Sequence, residues 1–256
     1  MRKSLAIAAI MLATGARAFD ATPLMSFFQP AASSSVFPIS SLVAHYLFNE
    51  SNATTTVTDE KATYAGTAQR NTSLMSAAGR INKSFLFDGS SDYVTLSDTG
   101  ATAYTNYSVC VWIKLGSGVS YTVVISKRSG TFPYEIFIED TSTGGKASFQ
   151  IFDGTYYPTP NTTNSVRDGN WHHIVGVRNV VDDTVSSYKD GVLQQSLTDT
   201  TTGNVNSSAA SRIGARADNA GNKFPGNIDD VRIYNRALTQ AEITELYNSG
   251  NGTEQE

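Results

Sequence analysis

Segments in which apolar and polar residues alternate recur along the chain from residue 42 to residue 234. A period of two is that of a β-strand with one buried face, whereas an amphipathic helix repeats about every 3.6 residues. Gly, Asn, Ser and Thr separate the segments, as expected between the strands of an all-β protein. The pattern predicts strands at 42–48, 107–115, 121–127, 134–139, 147–152, 211–214 and 226–234, two short strands around an Asp88-Gly89 turn within 85–96, a strand at 171–177 and a hairpin at 186–193.

A short helix is predicted after the last of these strands. Glu242 follows Thr239 by three residues, which is the spacing of a capping box, and Ile243 begins the apolar side of the helix. The polar stretch from residue 49 to about residue 84 is predicted to be a loop.

Four motifs occur in series: F-D-G-x-x-D-Y-V at 87–94, W-H-H at 171–173, Y-x-D-G at 188–191, and an Asp-Asp strand leading into R-I-Y-N-R-A-L-T-x-x-E-I at 232–243. Together they resemble the laminin-G-like, or concanavalin-A-like, domains. The resemblance covers residues 42–250 and implies an all-β, two-sheet antiparallel jelly-roll sandwich with a short C-terminal helix.

The N-terminus is predicted to be a secretory signal peptide. Basic residues at positions 2 and 3, an apolar run at 5–12 and Ala16-Arg17-Ala18 follow in the order of such a signal, with cleavage after Ala18. The alternative is a retained anchor or a buried helix. The predicted organisation is a signal peptide at 1–18, an extended arm or linker at 19–41, the jelly-roll domain at 42–250 and a tail at 251–256, which places the protein outside the cell or on its surface.

The arm is unusually apolar for a linker. It contains three prolines, which favour an extended course, together with several large apolar side chains that would be costly to expose. We expect it to pack on its own domain or to dock on a partner, which includes a homo-oligomer formed through residues 19–40.

The chain is acidic, with a formal net charge of −4 that becomes more negative if the signal peptide is removed. Phosphate backbones and anionic membrane surfaces require clustered Lys and Arg, so neither is a predicted partner.

The single cysteine, Cys110, cannot form an internal disulfide and is predicted to be a buried apolar residue. The eight Asn-x-Ser/Thr sequons mark either glycosylated loops or the Ser/Thr richness of the chain, beginning at Asn49, Asn52, Asn71, Asn82, Asn106, Asn161, Asn206 and Asn251.

Glu135 and Glu139 flank Phe137 on one face of a predicted strand. Laminarinase-type hydrolases of the same superfamily use a strand of the form E-x-D-x-(x)-E, so the resemblance raises the question of catalysis. Here Phe137 replaces the middle Asp. We therefore predict no catalytic residues and an ordinary strand with solvated Glu side chains.

Calcium is the predicted cofactor, in a structural role, because Ca²⁺ binds several carboxylate and carbonyl oxygens on loops. One arrangement joins Glu50 and Asp59 to Asp229 and Asp230, and the other uses Asp218 in the loop 217–222. Pentraxins, which are distantly similar, carry Asp-Asn where this chain has Arg128-Ser129-Gly130, so pentraxin-type ligand binding is not expected. The alternative for Asp229-Asp230 is a β-bulge in which one carboxylate accepts backbone N–H groups.

Ligand binding is predicted at Tyr156, Tyr157 and Trp171, with Asn161 nearby. Aromatic rings stack on sugar rings while amide groups bind the hydroxyls. The favoured function is a secreted, non-catalytic module that binds glycans or an extracellular protein. A structural subunit that docks through its arm is the alternative, followed by a glycoside hydrolase.

Overall fold

A computed structural model of the chain describes residues 39–97, 105–117, 120–203 and 205–255. The predicted signal peptide and the arm as far as residue 38 lie outside these residues. Ile39–Ser41, at the end of the predicted arm, forms a single 3₁₀ turn that leads into the first strand.

The described residues form fifteen strands. In chain order they are β1 (Leu42–Tyr46), β2 (Thr56–Val57), β3 (Gly66–Ala68), β4 (Ser76–Ala78), β5 (Lys83–Asp88), β6 (Val94–Leu96), β7 (Tyr107–Lys114), β8 (Thr122–Ser126), β9 (Phe132–Ile138), β10 (Ala147–Phe152), β11 (Trp171–Asn179), β12 (Thr184–Lys189), β13 (Val192–Thr198), β14 (Arg212–Ile213) and β15 (Pro225–Tyr234). The α-helices of the same residues are α1 (Thr72–Met75) and α2 (Gln240–Tyr247), with further 3₁₀ turns at Thr141–Thr143 and Asn248–Gly250.

These strands assemble into two antiparallel sheets. Sheet I has the order β13-β12-β11-β7-β15-β5-β4, with β1 also paired to β15, and sheet II has the order β10-β9-β8-β14-β6-β3-β2. The two-sheet antiparallel jelly roll with a short C-terminal helix is therefore confirmed.

The main core lies between the sheets and follows from the alternation in the sequence. In β9, Tyr134, Ile136 and Ile138 belong to this core, while the residues between them face outward from sheet II. In β7 the same rule sends Val109, Val111 and Ile113 inward. Because β7 is central in its sheet, even its outward side chains are buried, as far as residue 113.

Helix α2 covers part of the outer face of sheet I. The capping box forms as the spacing predicts: the Glu242 backbone N–H donates to the Thr239 hydroxyl, and the Glu242 carboxylate accepts the Thr239 N–H. Ile243 and Leu246 then pack against the outward residues of the central strands, among which Cys110 is fully buried. The expectation of a buried, unpaired cysteine agrees with this position.

One local expectation was wrong: the segment 49–84 is not simply a loop, since it contains β2, β3, α1 and β4. The two short strands joined by a turn at Gly89 are present as β5 and β6, and the turn carries the chain from sheet I to sheet II. The turn between them is held by Asp88, whose carboxylate accepts backbone N–H groups from Ser90, Ser91 and Asp92.

The tail packs on the domain. The Glu254 carboxylate accepts hydrogen bonds from the Asn49 and Asn82 amides, at 2.8 and 2.6 Å, and Gly252 is buried. Arg232 donates to the backbone carbonyls of Thr253 and Gln255. Across the described ranges, no helix is long and apolar enough to cross a membrane.

Candidate functional site

A cleft opens on the outer face of sheet II, at the edge formed by β10 and its neighbour β9. It has a volume of about 290 Å³ and is lined by Arg128, Phe132, Gln150, Phe152 and Tyr157. The strand pleat accounts for the lining, because β10 sends alternate residues into the core and leaves Gln150 and Phe152 facing outward.

The aromatic side chains form a row across this cleft. Phe132 lies opposite Phe152 in the β9–β10 register, with the ring centroids 5.7 Å apart, and Phe152 lies 6.3 Å from Tyr157. Phe132 is fully buried, whereas Tyr157 is 64% exposed. The row therefore begins with a buried ring, that of Phe132, and ends with the solvent-exposed ring of Tyr157.

Arg128 is fixed beside the row. Its guanidinium carbon lies 4.7 Å from the Phe132 ring centroid, within cation–π range. It also forms ion pairs with Asp218 at 3.7 Å and with Glu135 at 3.5 Å. These contacts hold a planar hydrogen-bond donor next to the aromatic surface.

Asp153 shapes the loop that carries Tyr156 and Tyr157. Its carboxylate accepts the backbone N–H groups of Thr155 and Tyr156 and also those of Thr202 and Gly203. The backbone hydrogen bonds, that of Tyr156 first, hold the pKa of this carboxyl well below its usual value. The ionised Asp153 carboxylate thus joins the loop that carries Tyr157 to the backbone at residues 202 and 203.

Glu135 is not solvated, which corrects the expectation for this strand. It is fully buried on the outer face of sheet II, where the Ser126 hydroxyl donates to one carboxylate oxygen at 2.7 Å. Tyr121 donates to the other oxygen at 3.2 Å, which Arg128 also approaches. Glu135 therefore positions Arg128 from beneath the cleft.

Glu139 is held by other side chains of sheet II. Its carboxylate accepts hydrogen bonds from Ser148 and Asn161. Phe137, which lies between Glu135 and Glu139, stands where the hydrolases of this superfamily carry an Asp. The carboxylate that would accompany such a pair is therefore replaced by an apolar ring.

The predicted ligand-binding residues are divided between the two sheets. Tyr157 lines the cleft, and Tyr156 is in the same loop but is not part of the lining. Asn161 uses its amide on Glu139 and its backbone N–H on Gln195. Trp171 begins β11 in sheet I and lines a different cavity.

Asp59 and Glu50 hold the loop after β1. The Asp59 carboxylate accepts four backbone N–H groups, from His45, Lys61, Thr63 and Tyr64. Glu50 accepts the N–H of Thr58 at 2.5 Å. Both carboxylates thus stabilise local turns.

Asp229 and Asp230 occupy a β-bulge in β15, where Asp230 has φ +47° and the register with β7 shifts. Asp229 accepts the N–H groups of Arg80 and Ile81. Asp230 lies between His45 Nε2 at 2.6 Å and Arg232 Nε at 2.9 Å. The alternative prediction, a β-bulge at Asp229-Asp230 in which a carboxylate accepts backbone N–H groups, agrees with the structure.

These carboxylates do not fit a calcium ion as they are arranged. Asp218 pairs with Arg216 at 2.7 Å as well as with Arg128, so its charge is already balanced. Within the ranges that the structure describes, no group of three or more His, Cys, Asp or Glu side chains could hold a metal. Calcium binding stays a prediction, which melting with calcium and with chelator would test.

Sequence reasoning missed Arg128 and Gln150 as candidate binding residues. Arg128 was considered only because it stands where pentraxins carry calcium ligands. It lies two residues after the end of β8, and its side chain contacts Glu135 and Phe132 on the outer face of sheet II. The alternation in β10 was a usable signal, because it predicts that Gln150 and Phe152 share one face.

A family profile described as the concanavalin A-like lectin/glucanases superfamily matches residues 88–244. The chain therefore belongs to this superfamily, as its sheets and motifs indicate. Comparison with curated proteins gave no significant match.

Several solved structures share the fold. Domain 4 of AbnA, a GH43 extracellular arabinanase from Geobacillus stearothermophilus, in complex with arabinotriose, is similar with a TM-score of 0.62 and 23% identity, over 80% of this chain and 97% of that one. The ligand binding domain of botulinum neurotoxin serotype D, in complex with N-acetylneuraminic acid, aligns with a TM-score of 0.64 and 16% identity, over 81% of this chain and 50% of that one. The binding domain of Paraclostridial Mosquitocidal Protein 1 gives 0.65 and 14%, over 82% and 52%. The chain thus spans about half the length of the two toxin domains.

Proposed function

We propose that this protein is a non-catalytic carbohydrate-binding module that acts outside the cell and binds sugar at the cleft of sheet II. The observation that carries the proposal is the exposed Tyr157 ring, held next to Arg128 and Gln150 in one cleft. A ring of this kind stacks on the apolar face of a sugar, while the guanidinium and amide groups bind hydroxyls.

Preorganisation supports this assignment. Asp153 anchors the Tyr157 loop, and Glu135 and Asp218 anchor Arg128, so little side-chain freedom is lost on binding. The structural relatives with arabinotriose and N-acetylneuraminic acid in their complexes suggest which sugars to try first. The predicted signal peptide is the basis for placing the module outside the cell.

Two further observations favour binding over catalysis. Glu135 is committed to Ser126, Tyr121 and Arg128, and Phe137 stands where the hydrolases of this superfamily carry the Asp between their two Glu residues. A glycan-binding role needs neither carboxylate to be free.

The test starts from a glycan array that includes arabino-oligosaccharides and sialylated glycans, followed by titration calorimetry on the best ligand. Tyr157→Ala should weaken binding about tenfold or more, since it removes the stacking surface. Tyr156→Ala is the matched control, because Tyr156 is in the same loop and 47% exposed but does not line the cleft. Equal losses in the two variants, or none in Tyr157→Ala, would contradict the assignment.

A further inference from the structure

A second cavity lies on the opposite side of the sandwich, on the outer face of sheet I beyond the C-terminal end of α2. Its volume is about 410 Å³, within the range of small-ligand sites. Its lining includes Arg80, Trp112, Lys114, Asn170, Trp171 and Tyr247.

Strand register builds the floor of this cavity. Trp171 of β11 pairs with Lys114 of β7, and His173 pairs with Trp112. Because side chains alternate along a strand, Trp112 and Lys114 share the outer face with Trp171. Tyr247, the last residue of α2, forms a wall, and its ring is stacked 5.7 Å from Trp112.

Two cations converge on the cavity. The Arg80 guanidinium carbon lies 5.6 Å from the Trp112 ring centroid, and Lys114 is an exposed residue of the floor. In the described part of the chain neither side chain forms an ion pair, and the cavity lining contains no carboxylate. This concentration of positive charge stands out in a protein whose net charge is −4.

Two buried hydrogen-bond donors beside the cavity also have no acceptor among the described residues. Arg80 Nε and Trp112 Nε1 are buried without an acceptor among the described residues, and Trp112 is only 1% exposed. Buried donors are nearly always paired in folded proteins, so two unpaired donors beside one cavity call for an explanation. An anionic ligand could supply the acceptor that Arg80 lacks.

We propose that this cavity is a second binding site that takes an acidic saccharide. The carboxylate or sulfate group of the sugar binds to Arg80 and Lys114, its ring lies against Trp171 and Tyr247, and Asn170 binds a hydroxyl. The aromatic surfaces favour a sugar over a bare anion, and the paired cations favour an acidic sugar over a neutral one. The proposal concerns a different face from the cleft and does not depend on it.

Tryptophan fluorescence measures this site selectively, because the chain has two tryptophans and both line the cavity. Titration with digalacturonate should give a saturable change that added salt weakens. The uncharged disaccharide galactobiose and inorganic sulfate, each at the same concentration, should give little change. A response to sulfate equal to that to digalacturonate would overturn the saccharide assignment, and an equal response to galactobiose would overturn the role of the cations.

Variants separate the roles of the residues. Lys114→Gln should weaken the binding of digalacturonate about tenfold, as should Arg80→Gln, because each removes a charge-assisted hydrogen bond. Lys146→Gln, at the residue directly before β10, is the charge-matched control and should bind like the wild type, because Lys146 does not line the cavity. Lys114 is exposed, so its variant should fold normally, which circular dichroism checks.

Three results test the proposed second site. No fluorescence response to digalacturonate would overturn the proposal, as would a Lys114→Gln variant that binds like the wild type. Tyr157→Ala should leave the response intact, since Tyr157 lines the cleft of sheet II. A loss at one site with binding preserved at the other therefore tells which of the two assignments has failed.

Discussion

At the scale of single residues, two adjacent buried carboxyl groups behave in opposite ways. Burial raises the pKa of Asp229 to about 8, and its backbone hydrogen bonds offset this only in part. Burial acts in the same direction on Asp230, but Arg232 and His45 together bring the pKa of that group below its usual value. The bulge thus holds one carboxyl that favours its proton next to one that is ionised.

Asp229→Asn should stabilise the protein at alkaline pH. Because the folded-state pKa lies above the ordinary 3.8, the folded protein binds more protons than the unfolded one, and stability falls as pH rises from about 4 to about 8. The Asn side chain keeps an oxygen for the Arg80 and Ile81 N–H groups and does not ionise. We expect a gain of roughly 1–3 kcal/mol at pH 8.5, measured by urea denaturation, that vanishes near pH 4.5.

Asp230→Asn serves as the contrasting variant. It leaves the buried Arg232 without its ionised partner, which typically costs about 3–5 kcal/mol. The pKa of Asp230 is lowered, so its contribution is present above pH 4 and is lost only in acid. If the two variants shifted stability in the same direction at pH 8.5, the account of the bulge would be wrong.

The sequence could suggest the kinds of residue in the candidate site but not their grouping. Tyr157 and Trp171 are fourteen positions apart, and they were assigned to one site because both are aromatic and lie in or beside the same long loop. The structure places them on different sheets, because the chain crosses from β10 of sheet II to β11 of sheet I between them. Which sheet a strand joins depends on its pairing with strands far away in the sequence. The local alternation of apolar and polar residues does not show this pairing.

At the scale of elements, the loop after β10 depends on one carboxylate. Asp153→Ala should remove four backbone hydrogen bonds and free the loop that carries Tyr157. We expect glycan affinity to fall several-fold with little change in the melting temperature, since the loop is at the edge of the sheet.

Asp140→Ala is the control for that variant. Asp140 also accepts a backbone N–H at a loop start, from Ser142, but the cleft lining does not include it. Its glycan affinity should match that of the wild type in titration calorimetry. A wild-type affinity for Asp153→Ala would show that the loop needs no anchor.

Elements were easier to predict than their sheet assignments. Runs of apolar and β-branched residues located the long strands such as β7 and β11 to within a few residues, and the Thr239–Glu242 spacing located α2. The short strands β2, β3 and β4 have two or three residues each, too few for a periodic signal. Their positions follow from pairing with neighbours instead.

At the scale of the whole molecule, the segment 19–40 is predicted to be an interaction arm that packs on its own domain or docks on a partner. Deleting residues 19–40 should lower the melting temperature if the arm packs on its own domain. It should leave the melting temperature unchanged but abolish oligomers if the arm docks on a partner. Calorimetry and light scattering distinguish the two, and an unchanged result in both measurements would make the segment a simple linker.

The domain is proposed to bind a sugar at the cleft without cleaving it. Native mass spectrometry of the protein with its best array ligand, followed over a day, tests both halves at once. We predict a stable complex whose mass includes the intact oligosaccharide, and a complex that is strongly reduced for Tyr157→Ala. Shorter sugar products that disappear in Glu135→Gln, or a complex that Tyr157→Ala leaves unchanged, would contradict the account.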